Sequence, residues 1–441
     1  MRKNVFVILI LLLGGSALCF AGPGQEGSGE KVELSFWHGR AEWDLAVADN
    51  FMAEHPNVVV ELTETPPNEM YVMVQTFMAA GRGPDMMTMW EAMYLFPFHD
   101  ELRDFKELLP KDKIDEFKAG WRDTSYYKFD PNEKLMGFPN GGTGFFFYYY
   151  NKAMFKDAGI GFEPTEANRW RMTWEEFTDA GEKLKAAGYT PIGWGNDGGN
   201  MTCWYWDPIS YNYLQPGDYI KIGTGEKPWN SNEYLQAITR LNELVQAGYF
   251  NEGGITLDWT TGLNLVKNRE AAMSMAWWGY NVKSTWEELG DDFGMMNLPV
   301  INENAPLMDS LQTSIPGRTI IPVWSAYPEI AAELAYFYSN KESVQLLYEM
   351  NGAFGPRTDF TPDFADTSYG DFERLAWEWL GTWPLESSYQ NTAWTSELFA
   401  EQAGKSVELF TNQITEQEFV DALQVRMEQL EYEWLVWYEG E

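Results

Sequence analysis

The sequence predicts an α/β protein of two domains, and three observations carry that expectation. At the amino end a strand-like alternation, a helical period and a second strand follow one another. The same order of elements continues beyond them, which favours largely parallel sheets with ligand held past the carboxyl ends of the strands. At 441 residues, 45% of them apolar, the chain exceeds what one hydrophobic core usually serves.

The elements come in order along the chain. Val32–Phe36, VELSF, alternates apolar and polar residues as a half-buried strand does. From Ala41 to Glu54 the spacing predicts a helix with Leu45, Ala48 and Met52 on one face, stopped by His55-Pro56. Val58–Leu62 reads as a second strand, Met70–Ala80 as a helix and Pro84–Met89 as a third strand. Residues 145–150, FFFYYY, have no helical period and read as a strand buried on both faces. Thr173 and Glu176 form a capping box ahead of the stripe Trp174, Phe177, Ala180, Leu184 and Ala187, which stops at Gly188. Ser231–Gly248 repeats that design, and Ala271–Ala276 is a strand running into Trp277-Trp278. Glu416–Trp437 is helical by period.

Acids outnumber bases 66 to 31, and the formal charge of -35 argues against nucleic acid or an anionic membrane surface as partner. Residues 1–21 have the layout of a secretory signal peptide: Arg2 and Lys3, the apolar run Val5–Leu13, then small residues up to Ala21. That run is too short to span a membrane. Cys19 offers a second route, lipid modification, although Leu18 stands where such signals want Gly, Ala or Ser. Gly22–Glu30 reads as a flexible tether, and with Cys203 the other cysteine there is no disulfide framework. His38, His55 and His99 lack metal-ligand spacing. No G-x-S-x-G elbow, phosphate loop or dinucleotide fingerprint occurs, so no cofactor or metal is expected.

Phrases read in order along the chain resemble the extracellular solute-binding proteins of bacterial ABC importers, in the branch that includes maltose-binding proteins. They include LSFWHGR (34–40), FMAEHPNVVVEL (51–62), GRGPDMMTMWE (81–91), GFPNGGTGFFFYYYNKAMFKDAGI (137–160), MTWEEFTDAGEKLKAAGYTPIGWG (172–195), NREAAMSMAWWGY (268–280) and GAFGPRTDF (352–360). The chain departs from the family's usual pattern in a longer loop at 161–172 and a Trp-rich carboxyl part. The resemblance implies a two-lobed periplasmic-binding-protein-like fold, each lobe a mainly parallel sheet flanked by helices. Three crossings forming the hinge would fall near Gly144–Tyr148, Gln312–Gly317 and Gly352–Arg357. One lobe would be 31–146 plus 316–354 and the other 147–315 plus 355–441.

By the same resemblance the protein would be a periplasmic or extracytoplasmic monomer. It would bind a sugar or short oligosaccharide between the lobes and deliver it to the membrane permease subunits of an ABC importer. Sugars lie their C–H faces against aromatic rings, while long polar side chains orient hydroxyls. The expected contacts are Trp37, His38 and Arg40 after the first strand, Trp90 and Glu91 after the third, and Trp277 or Trp278. Asn196, Asp197, Trp204 and Trp206 in GNDGGNMTCWYWD, and Arg357 in GPRTD, join them. The rival reading is a secreted glycoside hydrolase using a pair of cleft carboxylates.

Overall fold

The computed structural model describes residues 31–39, 41–65, 67–90, 92–117, 125–277, 282–314, 317–383, 385–387 and 394–436. The signal peptide and tether expected before residue 31 lie outside them. Strands are β1 (Val32–His38), β2 (Val58–Glu64), β3 (Met86–Met89), β4 (Phe138–Pro139), β5 (Gly144–Asn151), β6 (Thr190–Ile192), β7 (Ala271–Trp277), β8 (Phe293–Met296), β9 (Leu311–Ser314), β10 (Arg318–Ile320) and β11 (Leu385–Ser387). One sheet runs β2-β1-β3-β10-β4 and the other β11-β9-β5-β7-β6, with β8 also on β5.

Both sheets are mixed, which corrects the mainly parallel expectation. β1 pairs in parallel with β2 and β3, but β10 runs antiparallel to β3. In the second sheet β5 is antiparallel to β7, β8 and β9. The reason is topological. A strand that enters a sheet from a crossing runs away from it, whereas β3, β7 and β9 run toward the crossings.

Side-chain alternation builds the core on both faces of each sheet. Phe145, Phe147 and Tyr149 pack on one side of β5, and Phe146, Tyr148 and Tyr150 on the other. In the first sheet Leu34, Phe36 and Met86 face one cluster, and Met87 and Met89 the opposite one. The capping box of Thr173 and Glu176 forms and opens the helix Trp174–Ala186. The helix Ala41–Glu54 buries Trp43, Val47, Ala48 and Phe51, while Leu45 is 50% exposed. That rotates the expected face, because Trp43, Val47 and Phe51, four residues apart, offer more apolar surface than Leu45 and Met52.

The chain passes between sheets at 140–143, since Gly144 already pairs with Ser314; this is a few residues before the expected first crossing. It returns between β9 and β10. A third passage leaves the helix Lys341–Asn351 through Gly352, whose φ of 72° suits glycine. The passages are laced together: Asn140 N–H donates to the Gly317 carbonyl at 3.0 Å, and Thr143 N–H to that of Phe354 at 2.6 Å.

The carboxyl end corrects another expectation. The helix Glu416–Glu428 stops nine residues before Trp437, and the segment after it is a strap between lobes. Leu430 sits in the second lobe's cluster and Trp434 in the first lobe's. There Trp434 meets Phe96 at 5.5 Å, and Lys128 lies 3.6 Å from Glu433.

Candidate functional site

Register locates the facing edges. Met89 at the end of β3 pairs with Arg318, directly after the second crossing. Trp277 at the end of β7 pairs with Phe146, near the start of β5. The carboxyl ends of β3 and β7 therefore lie on the crossing side of their sheets.

On the first lobe's edge Trp37 and Trp90 are both partly exposed. Trp37 is fixed edge-on to Phe77 at 4.9 Å, and Trp90 edge-on to Tyr94 at 5.0 Å. His38, between them and the helix, turns inward: it is 2% exposed, and its Nδ1 lies 2.7 Å from Oδ2 of buried Asp44. Tyr338 holds the same turn by donating to the Asp44 carbonyl at 2.9 Å. His38 is thus a structural hydrogen-bonder in this arrangement and not part of the aromatic wall. Arg40 and Glu91 lie outside the described residues.

On the second lobe's edge a tightly pinned turn carries the aromatics. Asn196 is fully buried, with its amide 3.0 Å from Thr202 Oγ1 and its N–H on the Gly254 carbonyl. Asp197 is partly exposed, has a φ of 46° and accepts from the Asn200 amide at 3.2 Å. Gln402 clamps the turn by donating to the Gly199 carbonyl at 2.8 Å. Asn196 therefore shapes the loop, and Asp197 is the member that reaches its surface.

The helix Thr202–Ser210 then sends its two tryptophans to different faces, because residues two apart on a helix do not share one. Trp204 is partly exposed at the edge, 5.6 Å from Phe146 and 5.8 Å from Trp259, and its Nε1 has no hydrogen-bond partner. Trp206 is fully buried among Trp229, Tyr234 and Trp394 and donates to the Tyr234 carbonyl at 3.2 Å. The core takes Trp206, which corrects its expected place at the site.

Trp259 is a wall residue that the sequence did not bring forward. It opens the helix Trp259–Lys267, capped by Asp258, and with Trp204, Gly195 and Ser274 it lines a recess at this edge. The signal for it is Asp-Trp-Thr-Thr, a helix start that places an indole in the first turn. β7 runs one residue further than expected and ends at Trp277, whose side chain, like Trp278 altogether, lies outside the described residues.

Arg357 does not face the edge either. It is 3% exposed, with Nη2 at 2.6 Å from Glu116 and Nε at 2.8 Å from Asp359. Hydrogen bonding from Arg357, with Lys341 alongside, pulls the Asp359 carboxyl down to about 2. This network ties the third passage to the first lobe. Among the described residues no group of three His, Cys, Asp or Glu side chains could hold a metal ion, and no helix is long and apolar enough to cross a membrane.

Two α/β lobes laced by crossing segments define a two-domain periplasmic-binding-protein fold. The chain belongs to the bacterial extracellular solute-binding proteins, whose family profile matches residues 38–345. It is 28% identical over 254 residues to the sn-glycerol-3-phosphate-binding periplasmic protein UgpB of Brucella melitensis, which is 51% of this chain and 53% of that one. The Brucella abortus protein of the same name matches equally, so the chain spans about half the length of the curated relatives it matches.

Solved structures agree in fold. A chitin oligosaccharide binding protein superposes with a TM-score of 0.77 at 19% identity, covering 91% of this chain and 99% of that one. A protein of xylan utilization by Caldanaerobius polysaccharolyticus gives 0.77 at 18%, covering 90% and 100%. A Bacillus licheniformis sugar transporter in complex with stachyose gives 0.68 at 16%, covering 89% and 98%.

Proposed function

We propose that this protein captures a carbohydrate, a sugar or short oligosaccharide, between its lobes and hands it to the permease subunits of an ABC importer. The observation that supports the reading is the set of partly exposed indoles on the two lobes, Trp37 and Trp90 on one and Trp204 and Trp259 on the other. An indole face suits the C–H side of a pyranose. Asp197 is the described polar group at that surface, and Arg40, Glu91 and the rings of Trp277 and Trp278 complete the proposed contact set. The ligands named for the chitin and stachyose proteins support the same class.

The lobes divide near the crossings at 140–143, 315–317 and 352–359. The monomer is exported by residues 1–21 and either released by cleavage after Ala21, with 22–30 a flexible lead into the fold, or anchored by lipid at Cys19. It binds without chemistry and without cofactor. Ligand touching both walls favours the closed form, which is the form the permease reads.

A thermal-shift screen against mono- and oligosaccharides, with sn-glycerol-3-phosphate as a further arm, tests this. A ligand at about 100 times its Kd adds roughly 2.7 kcal/mol of stability. Trp204→Ala should weaken calorimetric affinity by about 2 kcal/mol, as loss of a buried aromatic anchor does. Stabilisation by sn-glycerol-3-phosphate and by no saccharide would end the sugar reading. Steady release of reducing ends, lost in Glu91→Gln, would move it to the glycoside hydrolase.

A further inference from the structure

The loop at 161–172 and the Trp-rich carboxyl part meet in one groove on the second lobe. Trp379, in the helix Ser368–Thr382, forms its floor, with Trp170 from the loop 5.1 Å away and Trp383 from the helix end 5.8 Å away. The cavity over these rings holds about 550 Å³, within the usual range for small-molecule sites. Its rim is polar: Glu166, Glu378, Asp309 and Arg169 line it, all solvent-exposed.

This groove is separate from the cleft. Phe145 packs on Trp379 at 5.5 Å, whereas its neighbour Phe146 packs on Trp204. Adjacent strand residues point to opposite faces, so the groove and the Trp204 wall lie on opposite sides of β5.

The loop is built to hold its indole in place. Arg169 and Trp170 both have positive φ, 52° and 55°, a conformation that bulky residues rarely adopt and that surrounding structure must enforce. Trp170 N–H donates to the Thr165 carbonyl at 2.9 Å, and its own carbonyl accepts from Asn297 N–H at 2.5 Å. Next to it Arg171, 8% exposed, donates to the Met308 carbonyl at 2.7 Å and lies 5.7 Å from the Trp383 ring centre. Both outer rings of the groove are therefore anchored before any ligand arrives.

We propose that this groove is a second carbohydrate site, taking a stretch of neutral polysaccharide while the interlobe cleft takes the transported solute. A nucleic acid or acidic polymer would meet a chain of charge -35 and the carboxylates of the rim. A purely apolar partner would bury the carboxylates of Glu166 and Glu378 and the Arg169–Asp309 ion pair away from water. Neutral hydroxyls donate to Glu166 and Glu378, while sugar ring faces cover the partly exposed Trp170 and Trp383, so a sugar chain satisfies both halves of the lining. The exposed rim suits the middle of a long chain, which enters and leaves the groove freely.

Native gels cast with neutral arabinoxylan, hydroxyethylcellulose or glycogen test this without reference to the cleft's ligand. The wild-type chain should be retarded in at least one of them. The double variant Trp170→Ala/Trp383→Ala should lose at least tenfold in affinity, and Trp204→Ala should keep it. Glu378→Gln, which leaves the rings in place, should weaken retardation severalfold and covers the case in which the double variant fails to fold. Wild-type mobility unchanged in all three gels would overturn the proposal. So would retardation that survives both groove variants or disappears only with Trp204→Ala. A failed cleft reading would show instead in the saccharide titration, which the groove variants leave untouched.

Discussion

Replacing Gly142 with alanine measures how tightly the crossing segments are laced. A Cβ at that position would stand 2.8 Å from the Cβ of Ala353 and 3.1 Å from the carbonyl oxygen of Phe354. Nonbonded carbon atoms settle at about 3.5–4.0 Å, so the first and third passages must move apart by roughly 0.7–1.2 Å. Neither obstacle is the free end of a flexible side chain. The Phe354 carbonyl is also the acceptor for Thr143 N–H at 2.6 Å, so separation stretches the hydrogen bond that joins the passages. Overpacking of this kind costs about 1–3 kcal/mol. In a lobe of this size 1 kcal/mol corresponds to about 2–4 °C, and a central value of about 2 kcal/mol gives a fall in Tm of roughly 4–8 °C. Scanning calorimetry reads it directly. Gly404→Ala is the control: Gly404 lies within the helix Ser396–Phe410 with nothing within 4 Å of its Cβ position. There alanine should stabilise by about 0.5–1 kcal/mol. A Gly142→Ala protein that melts with the wild type, beside a control that behaves, would refute the close approach.

Asp207 is a buried carboxyl whose Oδ2 has Trp394 Nε1 at 3.4 Å, and burial holds it well above its ordinary value of 3.8. The folded chain keeps that proton where the unfolded chain has lost it, so stability falls as pH rises above about 3.8 toward the native value. Asp207→Asn should raise Tm at pH 7, with the gain fading below pH 4; an equal gain at both would contradict the linkage. Asp359 has the opposite sign: its lowered carboxyl contributes stability above pH 3.8 that is lost as pH falls through about 2. Asp359→Asn should therefore flatten the Tm profile in that window, and parallel profiles would dismiss the ion pair. Trp434→Ala removes an indole that is 6% exposed in the first lobe's cluster and should cost about 3–5 kcal/mol in chemical denaturation. A loss under 1 kcal/mol would show that the strap is not packed as described.

Local chemistry is legible where one segment decides its own structure. Thr173 and Glu176 cap a helix by themselves, and the six aromatics from Phe145 to Tyr150 have no face left for water, so both elements form as expected. The family resemblance also carries the two-lobed fold. Faces and sites are harder, because they depend on partners far along the chain. Trp206 is core because Trp394 and Trp229 reach it, and Arg357 is structural because Glu116 waits 241 residues upstream. Nothing adjacent to either residue records that. By period alone the helix Glu416–Glu428 would run on to Trp437, because the same spacing continues in the strap, whose Trp434 is claimed by the opposite lobe.

That strap limits the travel of the hinge. Leu430 is anchored in one lobe and Trp434 in the other, and the four residues of chain from one to the other extend at most about 14 Å. The lobes are thus on a leash as well as a hinge. Any opening that carries those anchors further apart must first draw Trp434 out of its seat against Phe96. The reach of the chain sets a mechanical stop on how wide the empty protein can gape, and the seated indole sets the force needed to pass it.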